Sequence, residues 1–317
     1  MAEKRICAIT GSNGYVGGCV KKYFAAHGWE ILELTRQPKP GPDAVTFQLG
    51  EALSPAALVG VTALVHCAYD FTPLRWEAIR AVNVAGTEKL FRAARAAGVG
   101  KIICISSISA YAGCRSLYGK AKLEIEQIAL DHGALVLRPG LVYSDDAGGM
   151  FGKLAAQVRK SSVIPLIGDG SQIQFLVQSE DLCAFVEKFA AEQIKLGAQI
   201  LTAANAQPWP FKTLLQEIAR GYNKKIKFIP LPWRLVWAGL KSAELCGLKL
   251  NFRSDSLISL MHQNPTPDFS ANAEAGLVCR PFQSGGEGAT GGGTSGSPDG
   301  TSRVKYKWMR GTPGLVE

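Results

Sequence analysis

The chain has 317 residues, of which 47% are hydrophobic and 19% charged, and its formal net charge is +9. This composition is typical of a soluble globular protein. The lysines and arginines are scattered without a tract of five, so we expect a solvated basic surface that attracts an anionic cofactor or substrate, and no nucleic-acid partner. An apolar run of about 18 residues is absent, which excludes a membrane span.

The eight cysteines never form a C-x-x-C pair or a cluster with histidine. Several fall within apolar strand-like runs. They predict reduced thiols in the core of a cytoplasmic protein, without metal ions or disulfides. The cysteines are Cys7, Cys19, Cys67, Cys104, Cys114, Cys183, Cys246 and Cys279.

Strand and helix patterns alternate through the first 140 residues. Strands are predicted at 5–10, 30–35, 44–49, 62–68, 101–105 and 134–138. Helices are predicted between them, at about 15–27, 54–59, 76–97 and 118–131. This alternation predicts an α/β fold with a doubly wound, Rossmann-like parallel sheet, whose strand ends meet at one ligand crevice.

After residue 140 the pattern becomes irregular, and a smaller mixed lobe that binds the substrate is predicted. Helices are expected near 150–160, 180–192, 211–222, 232–246 and 254–263, with strands at 174–178, 199–203 and 226–229. We therefore divide the chain into a dinucleotide-binding domain (1–140), a substrate lobe with segments returning to the main domain (141–283) and a tail (284–317).

Two segments of the second half have a distinctive composition. Trp233, Val236, Trp237 and Leu240 follow i, i+3, i+4, i+7 spacing, which indicates a core-facing helix rather than a membrane anchor. Residues 284–300 are mostly Gly, Ser, Thr, Asp and Pro, so we expect a disordered tail that is foreign to the fold. The alternative for the tail is a short basic docking segment.

The strand at 5–10 ends directly in the glycine pattern Gly11-x-x-Gly14-x-x-Gly17, and a helix follows. One glycine permits the tight turn, another lets the backbone approach a pyrophosphate, and the third allows close helix–strand packing. The helix N-terminus adds free N–H groups and a partial positive charge. The pattern therefore predicts a dinucleotide site.

Three further elements carry acid–base chemistry. The strand at 101–105 ends in Ser106-Ser107, and Tyr118 and Lys122 share one face of the next helix at i, i+4 spacing. Tyrosine ionises only near pH ~10, so it needs a neighbouring ammonium to act as an acid or base at neutral pH. A serine hydroxyl can bond the substrate oxygen on which charge develops. The third element is Asn83, in the helix predicted at 76–97. Each element also has a purely structural interpretation when taken alone; Asn83, for example, could be a polar helix residue with its hydrogen bonds made inside the protein.

Taken together, these motifs resemble the extended short-chain dehydrogenase/reductase superfamily, and within it the NAD-dependent epimerase/dehydratase family. The resemblance covers about residues 4–282. It rests on Thr10–Gly17, Val65–Ala68, Val82–Thr87, Ile105–Ser107, Tyr118–Lys122, Arg138–Tyr143 and Gly168–Leu182.

The resemblance implies a role for each site residue. Tyr118 is the expected acid/base, Lys122 holds the nicotinamide ribose and favours the phenolate, and Ser107, rather than Ser106, polarises the carbonyl. Asn83 is expected near the active site as a positioning residue. The residues expected to contact the cofactor are Gly11, Ser12, Asn13, Gly14, Tyr15, Val16, Gly17, Thr35, Arg36, Gln48, Leu49, Ala68, Tyr118 and Lys122.

The end of the second strand bears on the choice of dinucleotide. An acidic residue there accepts hydrogen bonds from the ribose of NAD, whereas this chain has Thr35 followed by Arg36. A guanidinium can pair with the 2′-phosphate of NADP, and Glu33, inside the strand, should face away. The sequence thus favours NADP over NAD, unless Arg36 only stacks on the adenine or is solvated.

Three departures from the family pattern concern the substrate. The link from Ser107 to Tyr118 is shorter than in sugar-nucleotide epimerases, and Gln174 stands where nucleotide-sugar enzymes tend to have an arginine. Arg159, Lys160 or Arg253 could supply the positive charge for a diphosphate that Gln174 lacks. Tyr69 occupies a position that is often small, so a narrowed pocket is expected.

Two enzymatic functions and one binding function remain open. The first is an oxidoreductase or epimerase acting on a carbonyl or carbinol carbon, with a sugar or nucleotide sugar as the leading substrate. The second is a simple reductase of an apolar ketone. The third is a dinucleotide sensor or scaffold without turnover, which the presence of both Tyr118 and Lys122 disfavours. A homodimer through helices 76–97 and 118–131 is an arrangement often used by this fold.

Overall fold

The computed structural model describes residues 5–38, 43–144, 148–248, 250 and 252–283. The tail predicted at 284–317 lies outside the described residues. The first half contains β1 Ile6–Thr10, α1 Tyr15–Ala26, β2 Glu30–Thr35, β3 Ala44–Thr46, β4 Ala63–His66, α2 Trp76–Ile79, α3 Ala85–Ala96, β5 Lys101–Ile105, α4 Leu117–Asp131 and β6 Leu135–Leu137.

The second half contains shorter strands between its helices. Its elements are β7 Leu141–Tyr143, α5 Gly149–Lys160, β8 Val163–Ile167, β9 Ile173–Gln174, β10 Leu176–Gln178, α6 Ser179–Ala190, β11 Gln199–Leu201, β12 Trp209–Pro210, α7 Phe211–Gly221, β13 Lys227–Leu231, α8 Trp233–Leu245 and α9 Ser254–Met261.

The main sheet has the strand order β11-β6-β5-β4-β1-β2-β3, and every pair in it is parallel. The strand order reverses between β1 and β4, which is the point where ligands bind in doubly wound sheets. The predicted α/β, Rossmann-like fold is confirmed. The carboxyl ends of β1 and β4 therefore mark the place to look for a site.

The central strands are apolar at nearly every position because both faces of the sheet are covered. In β1, Cys7 and Ile9 join the core against α1 and α6, whereas Ala8 joins the core against α3 and α4. Ile9 and Ile103 are fully buried. Burial of such a side chain contributes about 1.5–3 kcal/mol, so the two cores hold the strand ends in place.

The second lobe has its own core, in which Phe151 of α5 and Leu214 of α7 are buried against Leu176 of β10. The strand β11 leaves this lobe and pairs with β6 in the main sheet. It is one of the returning segments expected for 141–283. The boundary at residue 140 stays a prediction.

In the first half, three elements differ from those predicted, and in the second half the strands β7, β8 and β12 were not predicted. The segment expected to be helical at 54–59 is a short 3-10 turn at Pro55–Leu58, and Gly60, with φ +80°, follows it. The helix predicted at 76–97 contains a π-helical turn at Arg80–Val84. The third strand ends at Thr46, and residues 47–48 are irregular before a turn at 49–50, although the Phe47 N–H still donates to the carbonyl of Thr35.

The helix α8 corrects an expectation. One side of this helix was predicted to face the core. The structure describes all residues of α8, and Glu244 alone among them is buried. Val236 and Leu240 are half-buried, whereas Leu235 and Leu245 are 70% and 79% exposed because only one side of the helix packs against α9. In the part of the chain that the structure describes, no helix has the length and apolarity needed to cross a bilayer.

Candidate active site

The glycine loop closes the end of β1 against the end of β4. Gly11 has φ +69°, and a Cβ added there would lie 2.9 Å from the backbone nitrogen of Ala68. A Cβ at Gly17 would lie 2.2 Å from the carbonyl oxygen of Gly11, while the Gly14 N–H donates to that same oxygen at 2.9 Å. Each of these positions needs a glycine, because a side chain would collide with backbone.

The residues at this loop fit a dinucleotide. A cavity of about 730 Å³ runs along the carboxyl ends of the strands and is lined by the loop residues Gly11 to Gly17. The Ser12 hydroxyl is buried with no hydrogen-bond partner, and the first turn of α1 has no side-chain cap. Unsatisfied donors at a helix N-terminus are the groups that bind a pyrophosphate. Tyr15 anchors the loop to the second lobe through a 2.8 Å hydrogen bond to Ser144 Oγ.

The end of β2 forms one end of the cavity. Thr35 and Arg36 line it, and the Asn13 amide donates to Thr35 Oγ1 at 3.2 Å. Glu33 is absent from this lining and accepts a 2.6 Å hydrogen bond from Lys21 Nζ. The expected orientation of Glu33, away from the ligand, therefore agrees with the geometry. Gln48 and Leu49 line the cavity as well.

The helix α4 brings Tyr118 and Lys122 to the cavity wall. Its first turn is capped twice, because Ser116 Oγ accepts from the Gly119 N–H and the Asp255 carboxylate accepts from the N–H groups of Leu117 and Tyr118. Lys122 is 2% exposed and its Nζ donates to the carbonyl of Ile105 at 2.8 Å.

The ammonium of Lys122 is held close to the aromatic rings. Lys122 Nζ lies 6.0 Å from the centroid of the Tyr118 ring and 5.3 Å from that of the Tyr69 ring. These distances place the ammonium near the limit of cation–π contact with both rings. The two residues predicted to act together are therefore together in the structure.

Two further aromatic rings surround Tyr118. The Tyr69 ring meets it edge-on at 4.9 Å, and the Phe71 ring stacks on it at 5.6 Å. Burial, followed by the proximity of Tyr118, raises the pKa of Tyr69 well above its ordinary value. Tyr69 therefore stays a neutral phenol at physiological pH, and its ring lines the cavity at the position where a narrowed pocket was predicted.

The two serines at the end of β5 have different surroundings. Ser106 is buried and donates to Glu126 Oε1 at 2.5 Å, and Glu126 in turn pairs with Arg138. Ser107 lines the cavity, and its Oγ accepts from the Ser109 N–H at 3.1 Å, which leaves its hydroxyl hydrogen to be donated elsewhere. The geometry thus favours Ser107 over Ser106 as the group that contacts a substrate.

Asn83 is the one predicted site residue that does not line the cavity. It is buried in the π-helical turn, where its side chain accepts from the Asp70 N–H at 2.7 Å and donates to the Asp70 carbonyl at 3.0 Å. Through these bonds Asn83 holds the loop of Asp70, which does line the cavity. This location near the cavity but outside its lining is compatible with the positioning role expected for Asn83, which stays a prediction.

Sequence analysis missed His66, which joins the ends of β1 and β4. Its ring nitrogens lie 2.8 Å from Thr10 Oγ1 and 3.0 Å from Thr87 Oγ1, and Thr10 Oγ1 also accepts from the N–H groups of Cys67 and Ala68. Burial, reinforced by Lys122, lowers the pKa of His66 to about 3. Only its position in the Val65–Ala68 motif could have indicated its importance.

The thiols near the site are unreactive. Burial raises the pKa of both Cys67 and Cys104 to about 12, so neither is a thiolate at neutral pH. Cys246, at the end of α8, is exposed, which corrects the expectation that the cysteines lie in the core.

A family model described as NAD dependent epimerase/dehydratase family matches residues 7–200. The chain belongs to this family. It is therefore an enzyme that uses a nicotinamide dinucleotide, as an oxidoreductase or epimerase. The match spans β1 through the beginning of β11, which includes the glycine loop, Ser107, Tyr118 and Lys122.

Curated proteins similar to this chain are named for different substrates. A ceramide reductase of Caulobacter vibrioides is 28% identical over 243 residues, covering 72% of this chain and 74% of the relative. A UDP-glucose 4-epimerase of Vibrio cholerae is 24% identical and covers 71% of this chain and 78% of its own. A human sterol-4-alpha-carboxylate 3-dehydrogenase is 23% identical, with 73% and 70% covered.

Solved structures support the fold. MoeE5 in complex with UDP-glucuronic acid and NAD superposes with a TM-score of 0.67 at 17% identity, covering 87% of this chain and 94% of MoeE5. The UDP-N-acetylglucosamine 4-epimerase from Bacillus cereus gives a TM-score of 0.60 at 18% identity, with 81% and 99% covered. At these identities the likeness concerns the architecture alone.

Proposed function

We propose that this enzyme transfers a hydride between NADP(H) and the carbonyl or carbinol carbon of an apolar substrate, with Tyr118 as the acid/base. The observation that carries the proposal is the grouping of Tyr118, the buried ammonium of Lys122 and two apolar-faced rings, Tyr69 and Phe71, at one cavity wall. An epimerase or oxidoreductase acting on a sugar or nucleotide sugar is the second candidate.

The chemistry follows from three side chains. When bound, the nicotinamide supplies the hydride to the carbonyl carbon or accepts it from the carbinol carbon. In reduction, Tyr118 gives its phenolic proton to the carbonyl oxygen, so that the product is an alcohol and the tyrosine is left as phenolate. Lys122 stabilises that phenolate by its charge. Ser107 donates a hydrogen bond to the same substrate oxygen.

An apolar substrate is supported by the surroundings of Tyr118. Phe71 lines the cavity beside it and is 54% exposed, so an apolar ring is presented to a ligand there. Gln174 supplies no guanidinium for a diphosphate. Two of the curated relatives, the ceramide reductase and the sterol dehydrogenase, are named for lipid substrates.

The sugar candidate is supported by different relatives. The Vibrio cholerae relative is a UDP-glucose 4-epimerase, and MoeE5 was solved with UDP-glucuronic acid. Polar groups also line the cavity near Tyr118, among them Asp70 and Thr72. A sugar hydroxyl could bind them, so the substrate class has to be decided by assay.

The preference for NADP is supported by Arg36. It is exposed at the cavity edge, and the nearest acid on the strand, Glu33, is held by Lys21 on the other side. A guanidinium there can form paired hydrogen bonds with a 2′-phosphate. MoeE5 was solved with NAD, so the measurement has to compare both dinucleotides.

The deciding experiment uses the purified full chain with two readouts: absorbance of reduced nicotinamide for net oxidation or reduction, and chromatography of the sugar products for epimerisation, which leaves no net reduced nicotinamide. NADPH and NADH are each offered with long-chain and sterol-like ketones, and in separate reactions NADP and NAD are offered with UDP-sugars. We expect oxidation of NADPH with the apolar ketones. Conversion of UDP-sugars alone would establish the second candidate, and cofactor binding without turnover in any reaction would establish a sensor or scaffold.

A cytoplasmic location and a homodimer complete the proposal. The first is supported by the absence of disulfides among the eight cysteines, all of them described, and the second by the frequency with which this fold pairs the helices equivalent to α3 and α4. Light scattering of the full chain measures the oligomeric state.

A further inference from the structure

The outer side of α8 exposes two leucines and an alanine, which with Ser242 form a mostly apolar stripe that other described residues leave largely uncovered. Positions 235, 238, 242 and 245 are spaced i, i+3, i+7 and i+10, so they share one side of the helix. Leu235 is 70% exposed and Leu245 is 79% exposed, and Ala238 and Ser242 between them are exposed too. We call this side, with the two cations beside it, the α8 face: Arg234, Leu235, Ala238, Lys241, Ser242 and Leu245.

The exposed charges of the chain segment that carries the α8 face are positive. Residues 224–248 are all described, and their charged side chains are five cations and one acid, Glu244. Glu244 is turned inward and buried, where it accepts hydrogen bonds from Ser254. Lys241 lies 3.9 Å from Glu244 yet is 46% exposed, and Arg234 is exposed. An apolar stripe flanked by exposed cations is complementary to an anionic bilayer surface.

The α8 face is also connected to the active site. Glu244 bonds both the backbone N–H and the hydroxyl of Ser254, and the next residue, Asp255, caps α4 at Tyr118. On the other side of Ser254, Arg253 donates to the carbonyls of Phe71, which lines the cavity, and Pro73. Three consecutive residues therefore join α8 to both the acid/base and the cavity wall.

We propose that the α8 face docks the protein on an anionic lipid bilayer, lying in the interface without crossing it. Leu235 and Leu245 enter the headgroup region, and Arg234 and Lys241 pair with lipid phosphates. This interaction needs neither cofactor nor substrate. It therefore stands or fails separately from the proposed reaction, although docking at this position would bring the cavity near the source of a lipid substrate.

The test is sedimentation of the purified full chain with vesicles of phosphatidylcholine, with or without an equal share of phosphatidylglycerol. We expect binding to the anionic vesicles that weakens at high ionic strength. The double variant Arg234→Gln/Lys241→Gln should lower the partition coefficient about thirtyfold, because each cation near an anionic surface contributes to binding. Leu235→Glu/Leu245→Glu should lower it more than about a hundredfold, because the buried apolar area is lost.

Matched controls carry the same changes elsewhere. Val59→Glu/Val278→Glu alters two residues that are 72% and 75% exposed, and Lys188→Gln/Lys195→Gln removes two exposed cations. These variants should bind as the unmodified chain does, and all variants should keep the unmodified melting temperature and dinucleotide affinity. If Leu235→Glu/Leu245→Glu does not fold, the less disruptive variant Leu235→Gln is measured in its place.

Three results would overturn the proposal. The unmodified chain could fail to sediment with anionic vesicles. The α8 variants could bind as well as the controls do, which would place the contact elsewhere, including in residues 284–317. Light scattering could instead show a dimer that Leu235→Glu/Leu245→Glu dissociates, which would mean that a second copy covers the α8 face.

Discussion

The Asp255 carboxylate accepts a 3.0 Å hydrogen bond from the backbone N–H of Tyr118. Its other oxygen accepts from the Leu117 N–H at 2.7 Å. A residue at the start of α9 thus places a negative charge at the N-terminus of α4, where the helix dipole favours it. Asp255 therefore helps to position Tyr118, the proposed acid/base, at a helix end that Ser116 alone would cap less completely.

Asp255→Ala should lower both stability and catalysis. The loss of two backbone acceptors at a helix N-terminus costs about 1–2 kcal/mol in the free energy of unfolding, and a displaced Tyr118 lowers kcat more than it raises KM. Urea unfolding and steady-state kinetics measure the two effects. The control is Asp268→Ala, which removes a comparable bond to the Ser270 N–H away from α4. An unchanged kcat would mean that Asp255 is only a structural cap.

Tyr118→Phe should abolish turnover and leave cofactor binding within about twofold. The change removes only the hydroxyl, so the contacts of the ring with Tyr69 and Phe71 persist, whereas the proton donor is gone. A loss of about 10²–10⁴ in kcat is expected for a general acid. Tyr69→Phe is the matched control, since it deletes the neighbouring phenol. An equal loss in both variants would refute the assignment of the acid/base to Tyr118.

Arg36→Asp should shift the dinucleotide preference toward NAD. The guanidinium that would bond a 2′-phosphate is replaced by an acceptor for ribose hydroxyls, so the ratio of the two dissociation constants should move by roughly 10–150-fold. Equilibrium titration with NADP and NAD measures the ratio. Arg92→Asp, on the exposed side of α3, makes the same change in net charge and should leave the ratio unchanged. A constant ratio in Arg36→Asp would end the argument for NADP.

The sequence predicted the dinucleotide half well because the relevant signals are local. Buried parallel strands are continuously apolar, the glycine spacing accompanies a tight turn, and the i, i+4 spacing of Tyr118 and Lys122 fixes their common helix face. The structure brings all of the predicted cofactor residues to one cavity. Their roles remain predictions until the variants are measured.

What the sequence could not predict depends on contacts between distant segments. Asp255 lies 137 residues from Tyr118 along the chain, and no local pattern relates them. The periodicity of α8 correctly indicated a helix with an inner side. It could not indicate that α9 packs against that helix while Leu235 and Leu245 stay exposed, because periodicity reports a face and not its partner.

The buried His66, which bonds Thr10 and Thr87, should make the stability of the protein depend on pH. Its pKa is about 3 in the folded protein, mainly because of burial, against about 6.5 when unfolded. Between these values the unfolded chain binds a proton that the folded chain does not. The stability associated with neutral His66 is therefore complete above pH ~6.5 and is lost progressively as the pH falls toward about 3.

We expect the free energy of unfolding to fall by about 1.4 kcal/mol per pH unit through this group, or roughly 3 kcal/mol between pH ~6.5 and ~4. His66→Gln should be less stable at neutral pH, because the bonds to Thr10 and Thr87 are weakened, but its stability should decline less steeply with acid. Urea unfolding at several pH values measures both slopes. His27→Gln, at an exposed histidine, should retain the unmodified slope, and equal slopes in the protein and in His66→Gln would show that the buried imidazole does not govern acid stability.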